Sequence, residues 1–195
     1  MIKAILFDCF GVLYPDTYWT MANEYLGEDY SGHEQELHDL VKQVDLGHMT
    51  RDELWGGFAD LVGHTKEEVY QRLENFTGLD TRLLEFIEEH KSTHKIGMIS
   101  NVGQGFLERM FKEKPADYYF DVIVLSSEVA LVKPDVRIYE LAAERLGVDT
   151  NDCVFIDDLE KNVEGARNAG MHAIQYSNFS DFKRLLRPLI ADSDN

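Results

Sequence analysis

The sequence predicts an α/β protein: a parallel β-sheet flanked by helices and interrupted near its start by a helical insert. Three observations carry that prediction. Residues 2 to 7 form an apolar run too short and too rich in β-formers for a helix, and read as a strand buried on both faces. From Leu79 onward, strand-like and helix-like segments alternate, which implies parallel strands joined by right-handed crossovers. Between these parts, over roughly residues 16 to 77, four helical segments follow one another with no strand.

The first strand runs into the stretch Ile5-Leu-Phe-Asp-Cys-Phe-Gly-Val-Leu13. Asp8 is costly to bury in such a run unless something binds it. That places it where the strand emerges, at its carboxyl end, the edge on which open α/β sheets bind ligands. Taken alone, a strand-terminal Asp that caps a turn is an equal reading. Tyr14 to Thr17 is a turn. A helical piece follows from Tyr18 to Leu26, ended by Gly27. A second spans His33 to Leu46, with Leu37, Leu40, Val41 and Val44 at helical spacing and Gly47 closing it. Thr50-Arg-Asp-Glu53 and Thr65-Lys-Glu-Glu68 are capping boxes that start two more. Residues 15–78 therefore read as a small helical unit, with 1–14 and 79–195 as the core. The aromatics Trp19, Trp55, Phe58 and Phe76 are expected to form the unit's own core. A substrate-facing role for one or two of them is the second possibility.

In the second part, Asp80 caps a helix to about His90. The alternation then gives a strand over 95–100, a helix over 105–112, a strand over 121–125 and a helix over 135–146. A strand over 153–157, a helix over 161–169, a strand over 172–176 and a helix over 179–190 complete it. The polar tail from Ala191 to Asn195 is expected to fray.

A chain of 195 residues has room for one domain, or a core with an insert. No stretch approaches 18 consecutive apolar residues, so no membrane-spanning helix is expected. The N-terminus lacks the charged, apolar and small-residue regions of a signal peptide, and a cytoplasmic location is expected. Cys9 and Cys153 lie in strand-like runs and read as buried free thiols rather than a disulfide. Net charge is −17, from 19 basic and 36 acidic residues, which opposes binding to nucleic acid or anionic membrane. An anionic substrate would need positive charge supplied locally by the site. No feature points to a protein partner.

The polar residues then fall into a pattern. Asp8 ends the first strand, and Ser100-Asn101 ends the second. Val102-Gly103-Gln104-Gly105 follows, with glycines that expose backbone N–H groups at a helix start, a place for an anion. Lys133-Pro134 follows the third strand, and Asp157-Asp158 ends the fourth. On this topology all lie along one edge of the sheet. They supply carboxylates for a hard cation such as Mg²⁺, a hydroxyl and amides for an anion, and a lysine between them. Singly, each has a bland reading as a turn, a helix start or a cap. Four at successive strand ends do not.

These residues resemble the motifs of the haloacid dehalogenase-like (HAD) superfamily, with a small helical cap inserted after the first strand. Phe-Asp8-Cys-Phe-Gly11-Val-Leu, Ile-Ser100-Asn101, Lys133-Pro134-Asp135 and Phe-Ile-Asp157-Asp158 match in order and cover the core. The resemblance implies a Rossmann-like sheet with strand order 3-2-1-4-5. It implies Asp8 as a nucleophile that forms an aspartyl-phosphate, with Lys133 offsetting charge between nucleophile and phosphate. Ser100 and the Asn101 amide would hold the phosphoryl oxygens, with Phe10 and Gly11 in the loop beside the substrate. Mg²⁺ would sit on Asp8, Asp158, the backbone carbonyl of Phe10 and Asp157, the last directly or through water. The substrate class so implied is a small phosphorylated metabolite.

One departure matters. Most phosphatases of the family carry a second Asp two residues after the nucleophile, which protonates the leaving group and then activates water. Here that position is Phe10. Three readings follow. The first is a phosphatase whose substrate has a good leaving group, such as a sugar 1-phosphate, or whose acid comes from elsewhere; Asp16 and Tyr14 are nearby candidates, although both suit the turn. Some small-cap sugar-phosphate phosphatases of the family also lack this Asp. The second is a catalytically weak or inactive binder of a phosphate ligand. The third is a 2-haloacid dehalogenase, since displacing halide needs no proton; those enzymes, however, work without metal and lack the Asp-Asp pair present here.

Overall fold

The computed structural model describes residues 1–76, 78–103 and 105–191. Thr77, Gln104 and the tail 192–195, all within stretches read above, lie outside the described residues. Five parallel strands form one sheet: β1 (Ala4–Phe7), β2 (Lys95–Ser100), β3 (Val122–Leu125), β4 (Cys153–Asp157) and β5 (His172–Gln175), in the order β3-β2-β1-β4-β5. β1 is central. Phe7 pairs with Met98 of β2 and with Ile156 of β4. This register brings Asp8, Ser100 and Asp157 out at the same carboxyl edge, one or two residues further on.

β1 is apolar at every position because both of its faces are covered. Ile5 and Phe7 face one cluster, with Leu83, Phe86 and Ile87 of α5 (Thr81–His90) and Phe182 and Leu186 of α11 (Phe179–Ile190). Ala4 and Leu6 face the other, with Ile138, Tyr139, Ala142 and Ala143 of α9 (Val136–Leu146) and Ala166 of α10 (Glu160–Asn168). Asp80 and Asp135 each cap the helix that follows, accepting from the N–H of Arg82 and Arg137.

Four helices lie between β1 and α5: α1 (Thr17–Leu26), α2 (Tyr30–Asp45), α3 (Arg51–Val62) and α4 (Lys66–Leu73). Both capping boxes form: Thr50 with Glu53 starts α3, and Thr65 with Glu68 starts α4. The insert has its own core of Tyr18, Met21, Leu37, Trp55, Phe58 and Val69. Trp19 and Phe76 pack at its margin. α2 starts at Tyr30, three residues before the sequence expectation, because a 3₁₀ turn at Gly27–Asp29 leads straight into it.

The expected helix over 105–112 is a correction. Only Leu107–Met110 is helical (α6), and a second short helix, Ala116–Tyr119 (α7), follows before β3. Gly105 is left-handed at φ +80°, and Phe106 lacks a capping side chain. Phe111 leaves the helix to bury itself beside Tyr119 and Phe120. A four-residue helix has little macrodipole to offer an anion, and Gln104 of the expected anion-binding stretch lies outside the described residues. After β3 a further short helix, α8 (Ser126–Val129), precedes the loop to Lys133. No helix is long and apolar enough to cross a membrane among the described residues.

Candidate active site

The site is built on the carboxyl ends of β1, β2 and β4 and on the loop after α8. Asp8 follows β1 and donates its backbone N–H to the Ile156 carbonyl at 2.8 Å, which fixes the first loop against β4. The chain then turns sharply: the N–H groups of Leu13 and Tyr14 both reach the Cys9 carbonyl, and Gly11 N–H reaches the Tyr14 carbonyl. Gly11 is required here twice over. Its φ is +85°, and a Cβ would lie 2.4 Å from the Asp158 carboxyl carbon. Asp158 thus approaches β1 through the space that Gly11 leaves open.

Lys133 is the centre of the polar cluster. It is buried at 4% exposure, and its Nζ lies 2.7 Å from Asp8 Oδ1 and 2.7 Å from Asp157 Oδ2. Burial works against its charge, but the two carboxylates outweigh it and hold the ammonium protonated above its ordinary range. Asp8 Oδ1 also accepts the Cys9 N–H at 2.6 Å, while Oδ2 takes no hydrogen bond from the described residues. Burial pushes the Asp8 carboxyl well above the usual range, against the pull of Lys133, and the Asp157 charge adds to the rise. The lysine is aimed by Asn101. The Asn101 side chain donates to the Lys133 carbonyl at 3.0 Å and accepts the Lys133 N–H at 2.8 Å. The Lys133–Pro134 peptide is cis.

Asp157 is fully buried and its oxygens are taken. Oδ2 receives Lys133, Oδ1 receives the Leu159 N–H at 2.9 Å, and the Asn162 amide reaches both. It anchors the lysine and the start of α10 and has little capacity left toward a cation. Asp158 differs. Its Oδ1 is buried with no hydrogen-bond partner, and its carboxyl is pushed up to about 6 by burial, then by the charges of Asp157 and Asp16. The Ser100 hydroxyl, also buried, likewise has no partner.

These orphans fit a metal and an anion. Asp8, Asp157 and Asp158 each offer an oxygen within 4.8 Å of the others. Three carboxylates face one buried ammonium, an excess of negative charge that is costly in a dry site unless a cation joins it. Oxygen donors at this spacing suit a hard dication that also keeps waters.

Above the cluster opens a cleft of about 630 Å³ between sheet edge and insert. Asp8, Phe10, Asn101, Lys133 and Asp158 line its floor, and α1, α2 and α3 its roof. Phe10 is half-buried and packs edge-to-face on Tyr14 (6.1 Å) and Phe106 (5.9 Å). Asp16 caps α1 through the Trp19 N–H, at a long 3.4 Å, and also lines the cleft. Trp19 and Trp55 face the cleft as well as their own core. Sequence reasoning missed Asp45, the last residue of α2, which lines the cleft opposite the core, and Phe106, whose ring closes the wall beside Phe10. No local pattern signals either, because both reach the site through tertiary docking.

A family model described as haloacid dehalogenase-like hydrolase matches residues 2–170. A phosphatase of Mycobacterium tuberculosis is 32% identical over 138 residues, 70% of this chain and 58% of that relative's length. An (S)-2-haloacid dehalogenase of Burkholderia cepacia is 25% identical over 193 residues, covering 89% of this chain and 82% of the relative. Among solved structures, a HAD family enzyme of Bacteroides thetaiotaomicron in complex with magnesium and inorganic phosphate superposes with a TM-score of 0.76 at 22% identity. That likeness covers 96% of this chain and all of the other, and it establishes the fold.

Proposed function

The chain belongs to the haloacid dehalogenase-like hydrolases, and from that premise we propose that it is a Mg²⁺-dependent phosphomonoester hydrolase acting on a small phosphorylated metabolite. The observation that carries the reading is the pair of orphaned oxygens, Asp158 Oδ1 and Ser100 Oγ, set around the Asp8–Lys133 contact. One asks for a cation and the other for an anion's oxygen. A dehalogenase acting without metal gives Asp158 nothing to bind.

In this mechanism Asp8 Oδ2, free of protein donors, attacks phosphorus while Oδ1 stays on Lys133 and the Cys9 N–H. The Ser100 hydroxyl and the Asn101 backbone amide orient the phosphoryl oxygens. Lys133 pulls the raised Asp8 carboxyl back toward its ionised form and offsets charge as the aspartyl-phosphate forms. Asp157 and Asn101 hold the lysine in place from its side chain and its backbone. Mg²⁺ held by Asp8 and Asp158 would supply charge stabilisation for the transferring group, in a reaction that is mostly positioning and electrostatics. The four-helix insert acts as a cap that excludes water and selects the leaving group.

A second reading, a phosphate-ligand binder with little or no turnover, is favoured by Phe10 alone, which puts a ring where an acid would stand. A screen decides between them: sugar phosphates, nucleotides and phospho-acids with Mg²⁺, and a 2-haloacid control. Calorimetry should show that Asp158→Ala loses Mg²⁺ affinity. Equal affinity in both proteins would sink the metal site.

A further inference from the structure

We propose that Asp45, on the cap, is the general acid–base that the Phe10 position lacks; the proposal rests on the phosphatase reading. The carboxyl end of α2 is docked directly on the core. A Cβ at Gly103 would lie 2.5 Å from Val44 Cγ1, and a Cβ at Gly47 would lie 2.9 Å from the Ser127 carbonyl oxygen. Asp45 sits between these two contacts and lines the cleft with Asp8, Lys133 and Asp158.

The cleft's other cap-side carboxylates have structural duties. Asp16 caps α1, and Asp39 accepts from Gln35 at 3.1 Å. The Asp45 carboxyl makes no hydrogen bond or ion pair with the described residues. Its charged surroundings are Lys133 and Lys161 from the core and Lys42 on its own helix; α1 is preceded by Asp16, α3 lines the cleft with Leu54 and Trp55, and α8 carries a surface Glu128. Burial pushes the Asp45 carboxyl up to about 6, against the pull of Lys133 and Lys161. A general acid–base works best when it titrates near the operating pH.

The steps balance. As an Asp8 oxygen bonds to phosphorus, the bond to the leaving oxygen breaks, its electron pair goes to that oxygen, and Asp45 gives it a proton. The Asp45 carboxylate then takes a proton from water as the water oxygen attacks phosphorus. The Asp8–phosphorus bond breaks, releasing inorganic phosphate and restoring both side chains.

The test compares full-length wild type and Asp45→Asn, with Mg²⁺, on 4-nitrophenyl phosphate and on the best alkyl phosphate from the screen. Turnover of the alkyl phosphate should fall about 10²–10⁴-fold. The 4-nitrophenolate burst should fall less than about tenfold, since that leaving group needs little protonation. Acid-quenched aspartyl-phosphate should accumulate in the variant, with Mg²⁺ affinity and melting behaviour retained. Asp45→Glu should recover part of the alkyl activity. Unchanged turnover, or an equal loss on both substrates without phosphoenzyme, overturns the role. A wild type that binds inorganic phosphate but turns over no phosphate overturns the phosphatase reading itself, and this role with it.

Discussion

Replacing Lys133 by Met keeps most of the buried volume and removes the charge. The ammonium lies 2.7 Å from each of two carboxylates whose side chains are 8% and 0% exposed. Taking one partner from a buried ion pair leaves uncompensated charge and costs about 3–5 kcal/mol. That is a large part of the 5–15 kcal/mol typical of a whole domain. The loss should depend on pH. Without the pull of the lysine, the Asp8 carboxyl, already raised by burial, titrates still higher in the folded state, so the native protein binds more protons than the unfolded chain. Stability then falls as pH rises. Urea unfolding in metal-free buffer should therefore show the full loss at pH 7.5 and a smaller one at pH 5. The double variant Lys133→Met/Asp8→Asn should regain part of it, because one orphaned charge is gone. A loss below about 1 kcal/mol at pH 7.5, or one that ignores pH, would refute the view that Lys133 holds the cluster together.

Two further outcomes follow from the first loop. Gly11→Ala should cost about 1–2 kcal/mol for an alanine at positive φ, and should weaken Mg²⁺ at least tenfold in calorimetry because Asp158 must move; native affinity would show that Asp158 is not held where Gly11 admits it. In the Asp45→Asn background, Phe10→Asp should speed breakdown of the aspartyl-phosphate and flatten the dependence on leaving-group pKa. A melt must accompany those kinetics, since the new carboxyl replaces a ring packed on Tyr14 and Phe106. A well-folded variant with unchanged leaving-group dependence would show that an acid at this position does not supply the proton.

Much of the frame was legible because it is written in local patterns. β2 and β4 occupy the stretches read for them, and so does α11. Both capping boxes close as their spacing requires. Asp8 stands at the strand end because an acid in an apolar run has to emerge somewhere. The helix over 105–112 failed because its apolar residues answer to a distant core: Phe111 packs on Tyr119 and Phe120, and helical spacing cannot see that. The family resemblance makes Asp157 a possible ligand, directly or through water. Its neighbours Lys133 and Asn162 take its oxygens, and they are 24 and 5 residues away. Asp45 was invisible for a related reason. It is an ordinary acid at a helix end until Val44 and Gly47 seat that end on the core.

The Asn101 clip on the Lys133 backbone spans 32 residues of sequence with two hydrogen bonds. It makes the loop after β2 and the loop before α9 one mechanical part. Lengthening or shortening the chain between them by a residue would shift the ammonium relative to Asp8 even with every polar side chain retained. It also means that damage at Asn101 and damage at Lys133 should not add, because groups sharing one network are coupled. A loss of rate on trimming Asn101 would then report a displaced lysine as much as a missing contact to phosphate. In a relative or redesigned version of this chain, the two positions are best exchanged together, as a cassette.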